Sequence, residues 1–231
     1  MIAGIIAAGE GSRLRAGGML TPKPLVPVGG IPIIGRLLTS LHECGISAVH
    51  CIVNEESTGV RDYVAALRLP LPVTFVVKST PSSMHSFFEL APFLRKERFL
   101  LTTVDSIFNE GDLRNLITTA SRETVSDGFL AVTDYIDDEN PLHVNASAEG
   151  RILSFSPADP PRWVTGGLYA LSPRIFDEME PARTAGIERL RHFLARLVGA
   201  GYDLRIVPFS RIIDVDRVED IRAAERLLDG R

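Results

Sequence analysis

The chain has 231 residues, of which 45% are hydrophobic, and its mean hydropathy is positive. That length fits one large α/β domain better than two independent small ones, with ample material for a core. A formal net charge of −4 gives no reason to expect nucleic acid or an anionic membrane as a partner, so an anionic ligand must be held by a local cluster.

Met1 opens directly into Ile2-Ala3-Gly4-Ile5-Ile6, a strand's length of apolar residues with no basic leader. No apolar run approaches the ~18 residues of a membrane span. The expectation is a soluble, cytoplasmic protein, with a homo-oligomer left open. Cys44 and Cys51 are too few for a disulfide framework. With His42 and His50 they match no zinc spacing, because the members of each pair fall on different faces of a helix or strand.

Ile2 to Ala7 reads as a buried strand, followed by a Gly/Pro-rich loop from Ala8 to about Gly30. Ile33 to Cys44 is a predicted helix ending at Gly45, where glycine takes the left-handed C-terminal conformation. Strand Ala48 to Val53, helix Thr58 to Leu67, strand Val73 to Val77 and helix Ser83 to Leu94 follow. Strand Phe99 to Val104, helix Gly111 to Ser121 and strand Phe129 to Thr133 complete a βαβα rhythm, which predicts a mostly parallel, Rossmann-like doubly wound sheet. After Asp134 come shorter strands, Leu142 to Asn145, Ile152 to Phe155 and Trp163 to Leu171, read as a small mixed-sheet region. Helices Ile175 to Glu180 and Gly186 to Val198, strand Leu204 to Val207 and helix Val218 to Leu228 end the pattern. In such a sheet the functional groups collect at the carboxyl ends of the strands.

The loop after the first strand reads Ala7-Ala8-Gly9-Glu10-Gly11-Ser12-Arg13-Leu14 and continues to Thr21-Pro22-Lys23-Pro24-Leu25. Glycines after a strand let backbone N–H groups approach phosphate oxygens, and Arg13 and Lys23 add charge. A dinucleotide-binding turn is disfavoured by Leu14 in the third glycine position and by the missing acid at the end of the second strand. A Walker A loop lacks its Gly-Lys-Ser/Thr. What is left is a looser phosphate loop in which Arg13 and Lys23 act together. Lys23 is one of only three lysines among 25 basic residues.

This stretch, G-x-G-Ser-Arg-Leu, a spacer, then Thr-Pro-Lys-Pro-Leu-x-Pro-Val-x-Gly-x-Pro-Ile-Ile, resembles the opening signature of the sugar-phosphate nucleotidyltransferases of the NDP-sugar pyrophosphorylase type. The match covers Ile5 to Ile34. The resemblance implies one nucleotidyltransferase domain over 1–231, with an NTP-binding half up to about 134 and an acceptor-binding half after it. Ala7, Ala8, Gly9, Gly11 and Ser12 would wrap the triphosphate, Arg13 would contact the leaving pyrophosphate and Lys23 the α-phosphate. The implied reaction transfers NMP from an NTP to a phosphorylated small molecule, a sugar 1-phosphate above others, and releases pyrophosphate.

Asp105 closes the strand from Phe99, where a carboxylate points into the ligand crevice and suits Mg²⁺. The resemblance gives it the catalytic Mg²⁺. The later Ile212-Ile213-Asp214-Val215-Asp216-Arg217 resembles the family's Val-Asp-Thr segment and makes Asp216 the second ligand, with Asp214 the alternative. Asp216 as N-cap of the last helix is the plainer reading. Thr165-Gly166-Gly167-Leu168-Tyr169 resembles the family's acceptor strand, with Thr165 where Asn is usual; glycines at a bulge are the simpler reading. The family's Glu-Lys-Pro before this strand is absent from Ser156-Pro157-Ala158-Asp159-Pro160-Pro161-Arg162, so Arg162 is the expected acceptor-phosphate cation, with Arg151 in reserve. Ser82 and Ser83 occupy the place of the family's base-side turn and open a helix, with an N-cap as the equal alternative. Two other functions stay open: a cytidylyltransferase for a non-sugar phosphate such as phosphocholine, and a catalytically inactive nucleotide-binding module.

Overall fold

The computed structural model describes residues 1–135, 140–156 and 162–230. Strand β1 (Ile2–Ala7) alternates its side chains between two cores. After it come a short helix α1 (Ser12–Ala16), the two-residue strands β2 (Pro27–Val28) and β3 (Ile31–Pro32), and helix α2 (Ile33–Glu43). The loop expected from Ala8 to Gly30 therefore carries structure. Gly29 and Gly30 both adopt positive φ, 57° and 76°, the backbone that a two-residue hairpin between β2 and β3 demands. Gly45, at φ 84°, terminates α2 as its position predicted.

Strand β4 (Val49–Val53), helix α3 (Thr58–Leu67), strand β5 (Val73–Val77), helix α4 (Ser83–Leu94) and strand β6 (Phe99–Thr103) complete the first half's parallel framework. β1 pairs in parallel with β4 on one side and β6 on the other, and β4 pairs with β5. Ala3, Ile5 and Ala7 face a core shared with Ile34, Leu38 and Leu41 of α2. Ile6 faces the opposite core with Phe87, Leu90 and Leu94 of α4. Helix α4 lies so close that a Cβ on Gly4 would stand 2.9 Å from Leu94 Cδ1.

Beyond β6 a three-residue strand β7 (Ser106–Phe108), absent from the sequence reading, precedes helix α5 (Glu110–Arg122) and strand β8 (Gly128–Thr133). The second half adds β9 (His143–Ala146), β10 (Ile152–Ser154) and the long β11 (Trp163–Leu171). These strands continue the main sheet: β11 runs antiparallel to β6, β8 and β9, joining both halves in nine strands. The helices that follow correct the expected boundaries. A 3₁₀ turn over Pro173–Glu178 leads into α6 (Met179–Thr184), and Gly186, at φ 66°, closes that helix. The next one, α7, spans Leu190–Gly199. A positive-φ glycine beside an apolar period ends one helix more readily than it begins another. Strand β12 (Leu204–Pro208) pairs in parallel with β8, and β13 (Ile212–Asp214), also missed from sequence, pairs antiparallel with β7 before helix α8 (Val218–Leu228). A third core, with Leu14, Val28, Ile107, Ile213 and Ala224, fixes α8 and the β7–β13 pair beneath the glycine-rich loop.

Candidate active site

The two short strands β7 and β13 decide the geometry of the site. Their register places Ser106 opposite Asp214, and the Val215 N–H donates to the Asp105 carbonyl at 3.0 Å. Ser106 and Asp214, 108 positions apart in sequence, are thereby fixed side by side at the carboxyl end of β6, where Asp105 occupies the turn into β7. The N-cap of α5 is Asn109, whose side chain accepts from the Gly111 N–H, so Asp105 is free of a capping role.

Lys23 enters this corner from the glycine-rich loop. It opens a 3₁₀ turn between Pro22 and Pro24, and only 8% of its side chain is exposed. Its ammonium donates to Asp105 Oδ2 and, at 2.5 Å, to Asp216 Oδ1. Arg13 Nη1 donates to the other oxygen of Asp216 at 3.0 Å. Two cations thus converge on two carboxylates. Burial alone would pull the lysine pKa down, but the charges and hydrogen bonds of Asp105 and Asp216 outweigh it and raise it above the ordinary range. Burial pushes Asp105 up, and Lys23 with the Thr103 hydroxyl more than reverses this, so it stays ionised.

Gly11 and Lys23 depend on each other. Gly11 sits at φ 62° before α1, and a Cβ there would lie 3.1 Å from Lys23 Cβ. Gly9, by contrast, has open space where a Cβ would stand. Ala7 is buried, Ala8 accepts from Asn54 Nδ2 at 3.4 Å, and Ser12 is exposed at the start of α1.

Asp216 does not cap α8. Arg217 occupies that position, and Asp220 Oδ2 accepts from the backbone N–H groups of Asp216 and Arg217. Asp214 is directed elsewhere, accepting from Ser106 Oγ at 2.8 Å. It is exposed at the end of β13 and borders the cleft. The protein atoms crowded round its carboxyl and the nearby Asp105 charge push its pKa upward, against the Ser106 hydrogen bond.

A cleft of about 260 Å³ opens beside these acids, lined among others by Arg13, Thr133, Tyr135, Thr165, Gly166 and Asp214. Gly166 is demanded by packing, since a Cβ would stand 2.1 Å from Ile212 Cδ1. At Gly167, φ is 75° and a Cβ would meet Thr103 Oγ1 at 2.6 Å and Ser106 Oγ at 2.7 Å. The register of β11 on β8 shifts between Thr165 and Tyr169, so the glycines lie at a bulge, and Gly166 borders the cleft.

A second cavity, about 450 Å³, adjoins through Arg13 and is lined by Ser82, Ser83, Asn140, Arg189, Leu190 and Arg191. Ser82 is the N-cap of α4, with its side chain accepting from the His85 N–H, and its hydroxyl reaches the Glu188 carbonyl. Arg189 and Arg191 were not singled out from sequence: a helix drawn from Gly186 hides that they stand at the start of α7. Arg162 and Arg151 line neither cavity. The Arg162 guanidinium lies 4.7 Å from the centre of the Trp163 ring, and Arg151 pairs with Asp203 at 3.4 Å. Pro157 to Pro161, in the stretch that replaces the Glu-Lys-Pro, are outside the described residues.

Comparison with known families decides the class. Residues 3–200 match the MobA-like NTP transferase domain. The chain belongs to this family. Among curated relatives of the MobA-like chain, the CMP-5'-(3-aminopropyl)phosphonate synthase of Streptomyces rubellomurinus is 30% identical over 58% of this chain and 24% of its own length. The low-salt glycan biosynthesis nucleotidyltransferase Agl11 of Haloferax volcanii is 24% identical over 97% of this chain and 65% of its own. The MobA-like chain thus spans less than two thirds of either relative. The inositol-1-phosphate CTP transferase of T. maritima superposes with a TM-score of 0.83 at 22% identity, covering 99% of this chain and 96% of the other. A glucose-1-phosphate thymidylyltransferase assigned in Bacillus anthracis gives 0.82 at 21% identity, over 98% and 95%. These likenesses establish the nucleotide-sugar-transferase type of Rossmann-like sheet.

Proposed function

We propose that this MobA-like domain transfers the nucleoside monophosphate of an NTP to a phosphorylated small molecule, a sugar 1-phosphate or a similar polyol phosphate. The observation that carries the reading is the convergence of Lys23 and Arg13 on Asp105 and Asp216 beneath the glycine-rich loop.

An acceptor phosphate oxygen would attack the α-phosphorus, the bond to the bridging oxygen would break, and pyrophosphate would leave. A phosphate monoester is largely dianionic near neutral pH, with a second pKa of about 6, so the nucleophile requires no general base. Catalysis then rests on positioning and charge neutralisation. Lys23, preorganised by two carboxylates, is the cation available to the α-phosphoryl oxygens. Arg13, at the seam of both cavities, serves the departing pyrophosphate.

The donor set fits Mg²⁺: two carboxylates that share one ammonium are close enough to share one ion, and Mg²⁺ typically takes one or two carboxylates plus substrate phosphates. Asp105 and Asp216 would hold it. Bound there, the ion would neutralise phosphate charge and orient the triphosphate. Asp214 is the alternative second ligand.

The loop from Ala8 to Ser12, with Ser82 and Ser83 on the second cavity, is assigned to the nucleotide. Thr165, Gly166 and Gly167 are assigned to the acceptor. The acceptor phosphate has two candidate partners: Arg162, ahead of β11, and the Arg189–Arg191 pair, which already lines a cavity with Arg13. This division keeps the NTP on the first half and the acceptor on the second. No helix among the described residues is long and apolar enough to cross a membrane, and water-soluble substrates of this kind agree with a cytoplasmic setting. The test is a matrix of NTPs against phosphorylated acceptors with Mg²⁺, read by pyrophosphate release. Release that needs both partners supports the reading, and a blank matrix refutes it.

A further inference from the structure

Asp214 has one protein partner, the Ser106 hydroxyl on Oδ1, while Oδ2 has none among the described residues. The side chain borders the first cleft, and three observations fix what that cleft can accept.

Of the other acids on its lining, Asp216 is engaged by Lys23 and Arg13 and Asp220 Oδ2 by two backbone N–H groups, while Glu219 stands exposed in the first turn of α8. Asp214 borders the cleft with an oxygen, Oδ2, left to accept from a ligand. It is also held in place. Ser106 Oγ lies 3.1 Å from Thr103 Oγ1, and this hydroxyl pair sits in the space that Gly167 leaves by lacking a Cβ. Finally, the cleft's volume, about 260 Å³, is below the ~300 Å³ at which sites for drug-sized ligands begin. It suits a single small ring.

A carboxylate oxygen in such a place demands a hydrogen-bond donor, because leaving it unpaired under a bound ligand is unfavourable. A quaternary ammonium has no donor to give. Nor does the cleft offer it an open aromatic cage, since the Tyr135 ring already faces the Arg211 guanidinium at 4.3 Å. A hydroxyl satisfies Oδ2, and Thr165 also lines the cleft.

We infer that Asp214 is the specificity-determining residue of the acceptor site and accepts a hydrogen bond from a ring hydroxyl of a polyol phosphate. This rests on the transferase reading above. It separates Asp214 from the metal-holding pair and names the acceptor class as polyhydroxylated, against a choline-type phosphate.

The experiment follows pyrophosphate release by wild type, Asp214→Asn and Asp214→Ala at saturating NTP and Mg²⁺. The acceptors are hexose 1-phosphates with their deoxy analogues, myo-inositol 1-phosphate, phosphocholine and 3-aminopropylphosphonate. Wild type should use a polyol phosphate. Asp214→Ala should lose roughly 10- to 100-fold in kcat/KM for it, the value of a hydrogen bond to a charged group, through acceptor KM and with NTP KM and Mg²⁺ half-saturation unchanged. Removing the recognised hydroxyl should penalise wild type and leave Asp214→Ala indifferent. Asp214→Asn keeps an acceptor for Ser106, so it carries the test if the alanine variant melts early. Preference for phosphocholine or the aminophosphonate, additive losses, or a raised Mg²⁺ requirement with acceptor KM unmoved would overturn the inference. No release with any acceptor would instead refute the transferase reading, and this inference with it.

Discussion

Lys23 stands between Asp105 and Asp216, and each of the three side chains has a distinct expected phenotype. Lys23→Ala should lower kcat more than it raises the apparent KM for NTP, because α-phosphoryl charge builds toward the transition state. A change confined to KM would make Lys23 a binding residue only. Asp105→Asn should reduce turnover by a factor on the order of 10³ while far-UV circular dichroism stays native. Asp216→Asn should raise the Mg²⁺ requirement more than Asp214→Asn does, since only Asp216 shares the ammonium with Asp105. Steady-state kinetics at varied Mg²⁺ separates the two. Lys23 and Asp105 were legible in sequence because a rare lysine between prolines and an acid at a strand's end are local signals. The partition of Asp214 from Asp216 was not. Both lie on an extended stretch, and what sends one to Ser106 and the other to Lys23 is tertiary pairing.

That pairing lives at the scale of elements. Three residues of β7 and three of β13 are too short to show a period, yet they bring the two acids together and rest on the β11 bulge. Gly166→Ala would place a methyl where Ile212 now packs, 2.1 Å from its Cδ1. The variant should lose about 1–3 kcal/mol, as overpacked sites do, and lose activity beyond the fraction unfolded because β13 carries Asp214. Chemical denaturation and kcat on the same preparation check both parts. Element boundaries failed at glycines that have two readings. Gly186 ends α6, and only that placement exposes Arg189 and Arg191 at the head of α7. If this pair holds the acceptor phosphate, Arg191→Ala should raise acceptor KM with NTP KM intact and Arg162→Ala should not. The reverse pattern would return the role to Arg162.

At the scale of the molecule, the alternation of apolar strands with amphipathic helices made the parallel half readable, because its central strand β1 packs α2 on one face and α4 on the other. The second half was read as a smaller adjoining sheet. Its strands lack that rhythm, and only long-range pairing shows β11 lying between β6 and β8. The two functional halves thus share one hydrogen-bonded sheet, and Leu168 and Ala170 of β11 belong to the core built on β1. Residues 1–134 produced alone should therefore give no cooperative thermal transition, whereas the whole chain should give one. A sharp transition in the fragment would contradict the shared-sheet account.

The most direct measurement is pyrophosphate release by the wild-type chain across NTPs and phosphorylated acceptors, with Mg²⁺ and with the metal chelated. The account predicts stoichiometric release that requires NTP, acceptor and Mg²⁺ together and disappears in Asp105→Asn. Release that persists with the metal chelated or in Asp105→Asn, or none under any pairing, would contradict it.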